Sequence, residues 1–209
     1  MKKQEKVKLI IKRLFKIYPD PKIALHFSNP LELLVATILS AQATDKTVNT
    51  VTPALFAKYR DVKDFAKTPL EELDKMVSKI NFHKNKTKSI KAAAQMIIDK
   101  FNGKVPETME ELDSLPGVAR KTANVVMGAG FGKSEGIVVD THVIRLANKL
   151  DLTNSKDPVK IEQDLMKIVP KENWIDFSYL LINHGRDICT ARPHTCANCP
   201  LENLCPDKK

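Results

Sequence analysis

All four cysteines of this 209-residue chain lie near its C-terminus, as Cys189-x6-Cys196-x2-Cys199-x5-Cys205, and the 188 residues before them contain none. Scattered core thiols would not gather in this way, so the end of the chain is expected to close around something. Two disulfides, a zinc site and an iron-sulfur cluster compete. Disulfides need an oxidising compartment, and nothing at the start of the chain directs it to one. Val7, Ile10, Ile11, Leu14 and Phe15 recur there at helical spacing, with Lys8, Lys12, Arg13 and Lys16 between them. Those cations break the apolar run that an export signal requires. Structural zinc usually takes paired Cys-x2-to-4-Cys knuckles, and only Cys196 and Cys199 have that spacing. Four thiolates in one short loop suit a cluster, whose corners lie further apart than the single point on which zinc ligands converge. Spacing thus favours iron-sulfur, with zinc as the alternative.

The amphipathic start is expected to pack on the rest of the protein; a membrane-surface helix is the rival, since such helices are also basic. With 43% hydrophobic and 28% charged residues and a mean hydropathy of -0.26, the composition is that of a globular protein, not of a collagen, coiled coil or bilayer span. A net charge of +9 points to an acidic partner, nucleic acid first.

Helix-start signals recur along the chain, several combining a capping side chain, an early proline and a carboxylate three residues after the cap. Asn29, Pro30 and Glu32 open a helix over Leu31 to Ala41. Thr68, Pro69 and Glu71 open another, Thr108 and Glu111 a third, and Thr52 and Pro53 one more around Leu55 to Tyr59. Periodic stretches also cover Lys86–Phe101, Arg120–Gly128, Thr141–Leu150, Pro158–Val169 and Trp174–His184. Ile137–Val139 is the best strand candidate, but three residues cannot build a sheet. The expected fold is all-α. Gly128, Gly130, Gly132 and Gly136 crowd one nine-residue window, read as a loop and a candidate boundary.

Between two helical stretches lies Leu115-Pro116-Gly117-Val118-Ala119-Arg120-Lys121. Gly117 allows a tight turn, and the helix that follows presents unpaired N–H groups and the positive end of its dipole, where a phosphate fits. Lys121 falls in the first turn of that helix. A cation is unfavourable there, more so beside Arg120, and the same penalty favours the neutral amine that a nucleophilic lysine must supply. In Val138-Val139-Asp140-Thr141-His142, Asp140 takes a helix-capping position.

These residues resemble the endonuclease III branch of the helix-hairpin-helix DNA glycosylases. The hairpin with Lys121, the Val-Asp-Thr-His stretch with Asp140 and the cysteine tail carry the resemblance. Leu39-Ser40-Ala41-Gln42-Ala43-Thr44-Asp45 and His184-Gly185-Arg186 extend it over nearly the whole chain, in the same order. The resemblance implies a two-lobed all-α enzyme whose cleft binds DNA. One lobe would be a six-helix barrel over residues 22–134, with the helix-hairpin-helix at about 108–127. The other, from residues 1–21 and 135–209, would hold a [4Fe-4S] cluster on Cys189, Cys196, Cys199 and Cys205.

By the same resemblance the partner is duplex DNA with an oxidised pyrimidine or an abasic site, the chain is a monomer without membrane attachment, and its setting is cytoplasmic. Lys121 would attack the sugar C1′ and cleave the strand by β-elimination. Asp140 would stabilise positive charge on the sugar. Gln42 matches the residue that fills the space left by an extruded base, and Gly117, Ala119, Arg120, Thr141 and Arg192 would contact DNA. Three departures stand out. Ala119 replaces a second hairpin glycine, tolerable if its φ is helical. Asn81-Phe82-His83 replaces a Gly-Leu-Tyr-like segment, which makes Phe82 a candidate second wedge. The cysteine loop has few cations, Arg192 and His194 among them, so its share of phosphate binding is expected to be small. The adenine-mismatch branch usually lacks a lysine at the position of Lys121, so a mismatch glycosylase is the lesser reading within the superfamily; outside it stands a non-catalytic DNA-binding scaffold.

Overall fold

A computed structural model describes residues 1–192 and 196–207, and His194 lies outside them. The described residues form eleven α-helices and no strand: α1 (Lys3–Phe15), α2 (Pro30–Ser40), α3 (Asp45–Lys58), α4 (Val62–Lys67), α5 (Leu70–Met76), α6 (His83–Phe101), α7 (Met109–Asp113), α8 (Arg120–Val125), α9 (Thr141–Lys149), α10 (Pro158–Met166) and α11 (Trp174–Asp187). The all-α expectation holds. Ile137, Val138 and Val139 are buried without strand pairing.

The cap signals explain most of the starts. Asn29 Oδ1 accepts the Glu32 N–H at 3.0 Å, and Glu32 Oε2 accepts the Ser28 N–H at 2.7 Å. Thr108 Oγ1 accepts the Glu111 N–H at 3.3 Å and donates to Glu111 Oε2 at 2.8 Å. Each arrangement gives partners to N–H groups that a helix start would otherwise leave orphaned.

Four details differ from expectation. The helix assigned to Thr52 and Pro53 begins at Thr44, whose Oγ1 accepts the Thr47 N–H at 3.1 Å, and it runs through Pro53. Proline denies the Asn49 carbonyl its usual donor, but burial of Val48, Val51, Thr52 and Leu55 holds the helix together across the gap. Thr68 does not cap α5: it is the C-cap of α4, its N–H donating to the Asp64 carbonyl at 3.1 Å, and its hydroxyl donates to Tyr59 Oη at 3.1 Å, so Pro69 stands at the start of α5. The short α4 had no place in the periodicity reading, although Asp61 and Asp64 cap it reciprocally. Finally, the first half of the glycine window is helical, because α8 widens into a π-helical turn over Val126–Gly130.

Contacts divide the chain into two units, Met1–Ile23 with Ser134–Lys209, and Ala24–Lys133. In the first, α1 buries Val7, Ile10, Ile11 and Leu14 in a core with Val143, Leu146, Phe177, Leu180 and Leu181. The amphipathic start therefore packs on the protein and keeps its apolar face from lipid. No helix among the described residues is long and apolar enough to cross a membrane. In the second unit, α6 packs on α2, α4 and α5, with Leu34, Phe65, Ile90 and Ile97 in its interior.

Pro53→Ala restores the missing donor inside α3. It is expected to stabilise the protein by about 2 kcal/mol, the helix-interior difference less the gain in unfolded-chain entropy, read as a higher urea midpoint. A lower midpoint would mean that the ring itself makes indispensable contacts.

Candidate active site and cysteine centre

In the Ala24–Lys133 unit the hairpin is built from α7, a turn and α8. Leu112, Leu115, Val118 and Ala123 are buried beneath it. The turn is closed by the Val118 N–H, which donates to the Leu115 carbonyl at 3.1 Å. Gly117 sits at the crown with φ +79°, and a Cβ there would stand 2.5 Å from Ser89 Cβ on α6 and 3.8 Å from Ile38 Cγ2 on α2. Glycine is required twice over, by backbone sign and by this close approach. The φ of Ala119 is not helical; the residue is extended, at φ -104° and ψ 167°. Any L-residue accepts that conformation, so the methyl group fits for a different reason than the one anticipated. No side chain caps α8, in contrast to α2, α3, α4, α7, α9 and α10. Arg120 and Lys121 are exposed in its first turn.

The same unit brings Gln42 and Phe82 together. Both are exposed, and both adopt left-handed backbone, at φ +55° and +57°. Asn81 Nδ2 donates to the Gln42 carbonyl at 3.4 Å, joining the two turns. His83 Nδ1 lies 2.6 Å from Asp74 Oδ1, which ties the residue after Phe82 to α5. A non-glycine residue in this region costs about 1 to 2 kcal/mol, and such strain concentrates at working surfaces.

In the other unit Asp140 caps α9 as expected, its Oδ1 accepting the Val143 N–H at 2.9 Å. Its second carboxylate oxygen makes no hydrogen bond among the described residues. Thr141 follows, exposed at the first helical position. Further along α9, Arg145 directs its guanidinium at the cysteine loop. Nη1 donates to the Cys189 carbonyl and lies 3.7 Å from Cys189 Sγ, while Nη2 donates to the Gly185 carbonyl at 3.1 Å. His184 Nε2 lies 3.7 Å from Cys199 Sγ. A Cβ on Gly185 would stand 2.9 Å from His142 Nδ1, so only glycine lets α11 approach α9 this closely. Arg192 is exposed.

All four cysteines line one cavity. Burial, together with repulsion from neighbouring cysteines, pushes the Cys199 and Cys205 thiols upward. Four thiolates there need a positive centre to hold them. Among the described residues no three His, Cys, Asp or Glu side chains are grouped closely enough to hold one metal ion. Four thiols lining one cavity are a donor set of the kind that iron-sulfur clusters take. Arg145 went unnoticed in the sequence; its only local signal is its place three residues after His142 on one helix face.

A family model described as the HhH-GPD superfamily base excision DNA repair protein matches residues 35–171. The chain is 48% identical over 204 residues to the endonuclease III of Synechocystis, covering 98% of this chain and 93% of that protein. It is 43% identical over 202 residues to the endonuclease III of Bacillus subtilis, covering 96% and 92%. A solved structure of a trapped endonuclease III–DNA covalent intermediate superposes with a TM-score of 0.92 at 42% identity, covering 99% of this chain and 96% of the other.

Gly117→Ala and Gly132→Ala separate the two demands on the hairpin glycine. Both residues have positive φ, but a Cβ at Gly132 meets nothing within 4 Å. Each substitution is expected to cost about 1 to 2 kcal/mol for backbone sign, and Gly117→Ala a further 1 to 3 kcal/mol, roughly, for overpacking. Equal urea midpoints for the two variants would show that Ser89 yields.

Proposed function

This chain belongs to the HhH-GPD superfamily of base excision DNA repair proteins, within its endonuclease III family, and on that premise we propose how its own residues perform the chemistry. It is a DNA glycosylase and abasic-site lyase, and its substrate is duplex DNA holding an oxidised pyrimidine or an abasic site. The damaged nucleotide cannot be reached inside the stack and is extruded, at a cost of a few kcal/mol. Gln42 fills the vacated space and Phe82 wedges beside it. The first turn of α8, with Gly117, Ala119 and Arg120, receives a backbone phosphate, a contact that fixes position without reading sequence. Thr141 and Arg192 add contacts to the strand.

Lys121 Nζ, as the neutral amine, attacks the sugar C1′. The glycosidic C–N bond breaks, and the base departs with the bonding electrons and is protonated. The resulting N,O-acetal opens by breaking its C1′–O4′ bond, the ring oxygen taking up a proton, to give a Schiff base between Lys121 and C1′. Loss of a C2′ proton then expels the 3′ phosphate, and hydrolysis releases the lysine. Asp140 stabilises the cationic sugar by charge. The observation that carries this reading is the exposed Lys121 in the first turn of a helix that no side chain caps, held by a hairpin whose crown admits only glycine.

Cys189, Cys196, Cys199 and Cys205 would hold a [4Fe-4S] cluster, which when bound folds the loop that carries Arg192. Arg145 and His184 would lie beside its sulfur ligands and tune them.

Borohydride added during reaction with abasic duplex is expected to trap the chain covalently. Lys121→Ala should abolish both trapping and strand cleavage while leaving duplex binding, and Asp140→Asn should slow base removal by on the order of 100-fold. Cleavage by the alanine variant would remove Lys121 from its role; a wild-type chain that binds duplex but is never trapped would be a scaffold.

Iron and acid-labile sulfide, with visible absorption lost on Cys199→Ser, are expected of the isolated protein. Stoichiometric zinc in a colourless preparation would overturn the cluster assignment.

A further inference from the structure

Lys86 is a charged residue that the mechanism above does not use, yet it is buried, at 8% exposure. It lies in the first turn of α6, and its Nζ donates to the Leu39 carbonyl of α2 at 2.9 Å, across 47 positions of sequence. No carboxylate pairs with it among the described residues. Burial disfavours its charged form. What favours it is the C-terminus of α2, where the carbonyls and the negative end of the helix dipole converge.

That helix end leads directly into the Gln42 turn. Ser40 Oγ donates to the Thr37 carbonyl at 2.9 Å and the Ala43 N–H to the Ser40 carbonyl at 3.0 Å. Lys86 secures the carbonyl between them, and Asn81, five residues before it, holds the Gln42 carbonyl. The turn from Ser40 to Ala43 is thus tied at both ends to the start of α6, the element that also presents Phe82. We infer that Lys86 is a positioning residue, which fixes the Gln42 turn in the left-handed geometry needed to fill the space left by an extruded nucleotide. The inference rests on the role given above to Gln42.

Lys86→Met keeps the apolar stem and removes the donor and the charge. On duplex carrying a damaged pyrimidine it is expected to lower single-turnover base removal by on the order of 100-fold, the effect of a misplaced positioning group. On a single-stranded abasic oligonucleotide, where no vacated stack has to be filled, borohydride trapping through Lys121 should proceed at the wild-type rate. In a Gln42→Ala background, Lys86→Met should add nothing, because the two act as one unit. Asn81→Ala, an exposed substitution that removes the other tie, should lower duplex activity in the same pattern and covers the case in which Lys86→Met fails to fold. Equal losses on both substrates, or losses that multiply with Gln42→Ala, would overturn the inference. A wild-type chain that is never trapped on either substrate would instead defeat the glycosylase and lyase reading.

Discussion

A helix start leaves N–H groups with no partner inside the helix, and a chain made almost wholly of short helices meets that constraint again and again. Here Asn29, Thr44, Asp61, Thr108, Asp140 and Asp157 each supply an oxygen to close one start. Helices α5, α6 and α11 have no such side-chain oxygen, and neither has α8. Its N-cap is Ala119, which has no oxygen to offer, and Gly117 just before it pulls the turn tight against α6. The start of α8 therefore keeps N–H groups that no side chain satisfies.

At Asp140 one carboxylate oxygen caps α9, as a purely structural aspartate would, and the other makes no hydrogen bond among the described residues. A capping bond also fixes the side chain's direction, so structural and electrostatic duties reinforce each other. Five residues on, Arg145 ties the same helix to Cys189. A helix rises about 1.5 Å per residue, so the carboxylate and the cysteine loop are coupled through little more than one rigid turn.

How much of this could be read from the sequence depends on how far apart the interacting residues stand. Caps at Asn29, Thr108 and Asp140 were legible because donor and acceptor lie three positions apart. The cysteine spacing and the hairpin were legible because each is a continuous motif. Thr68 misled because its hydroxyl is claimed by Tyr59, nine residues away, and Pro53 misled because tertiary burial carries α3 across a break that local rules place there. Lys86 and Arg145 could not be read at all. Each is one cation among many in the sequence, and its meaning arises from a carbonyl 47 or 44 positions distant.

Gln42 and Phe82 hold left-handed backbone in the protein by itself. The strain is borne by folding stability, so none of it has to be met at the moment of association. Turns fixed before any contact is made give up no conformational freedom in making one, which is the advantage that rigidity holds over adaptation.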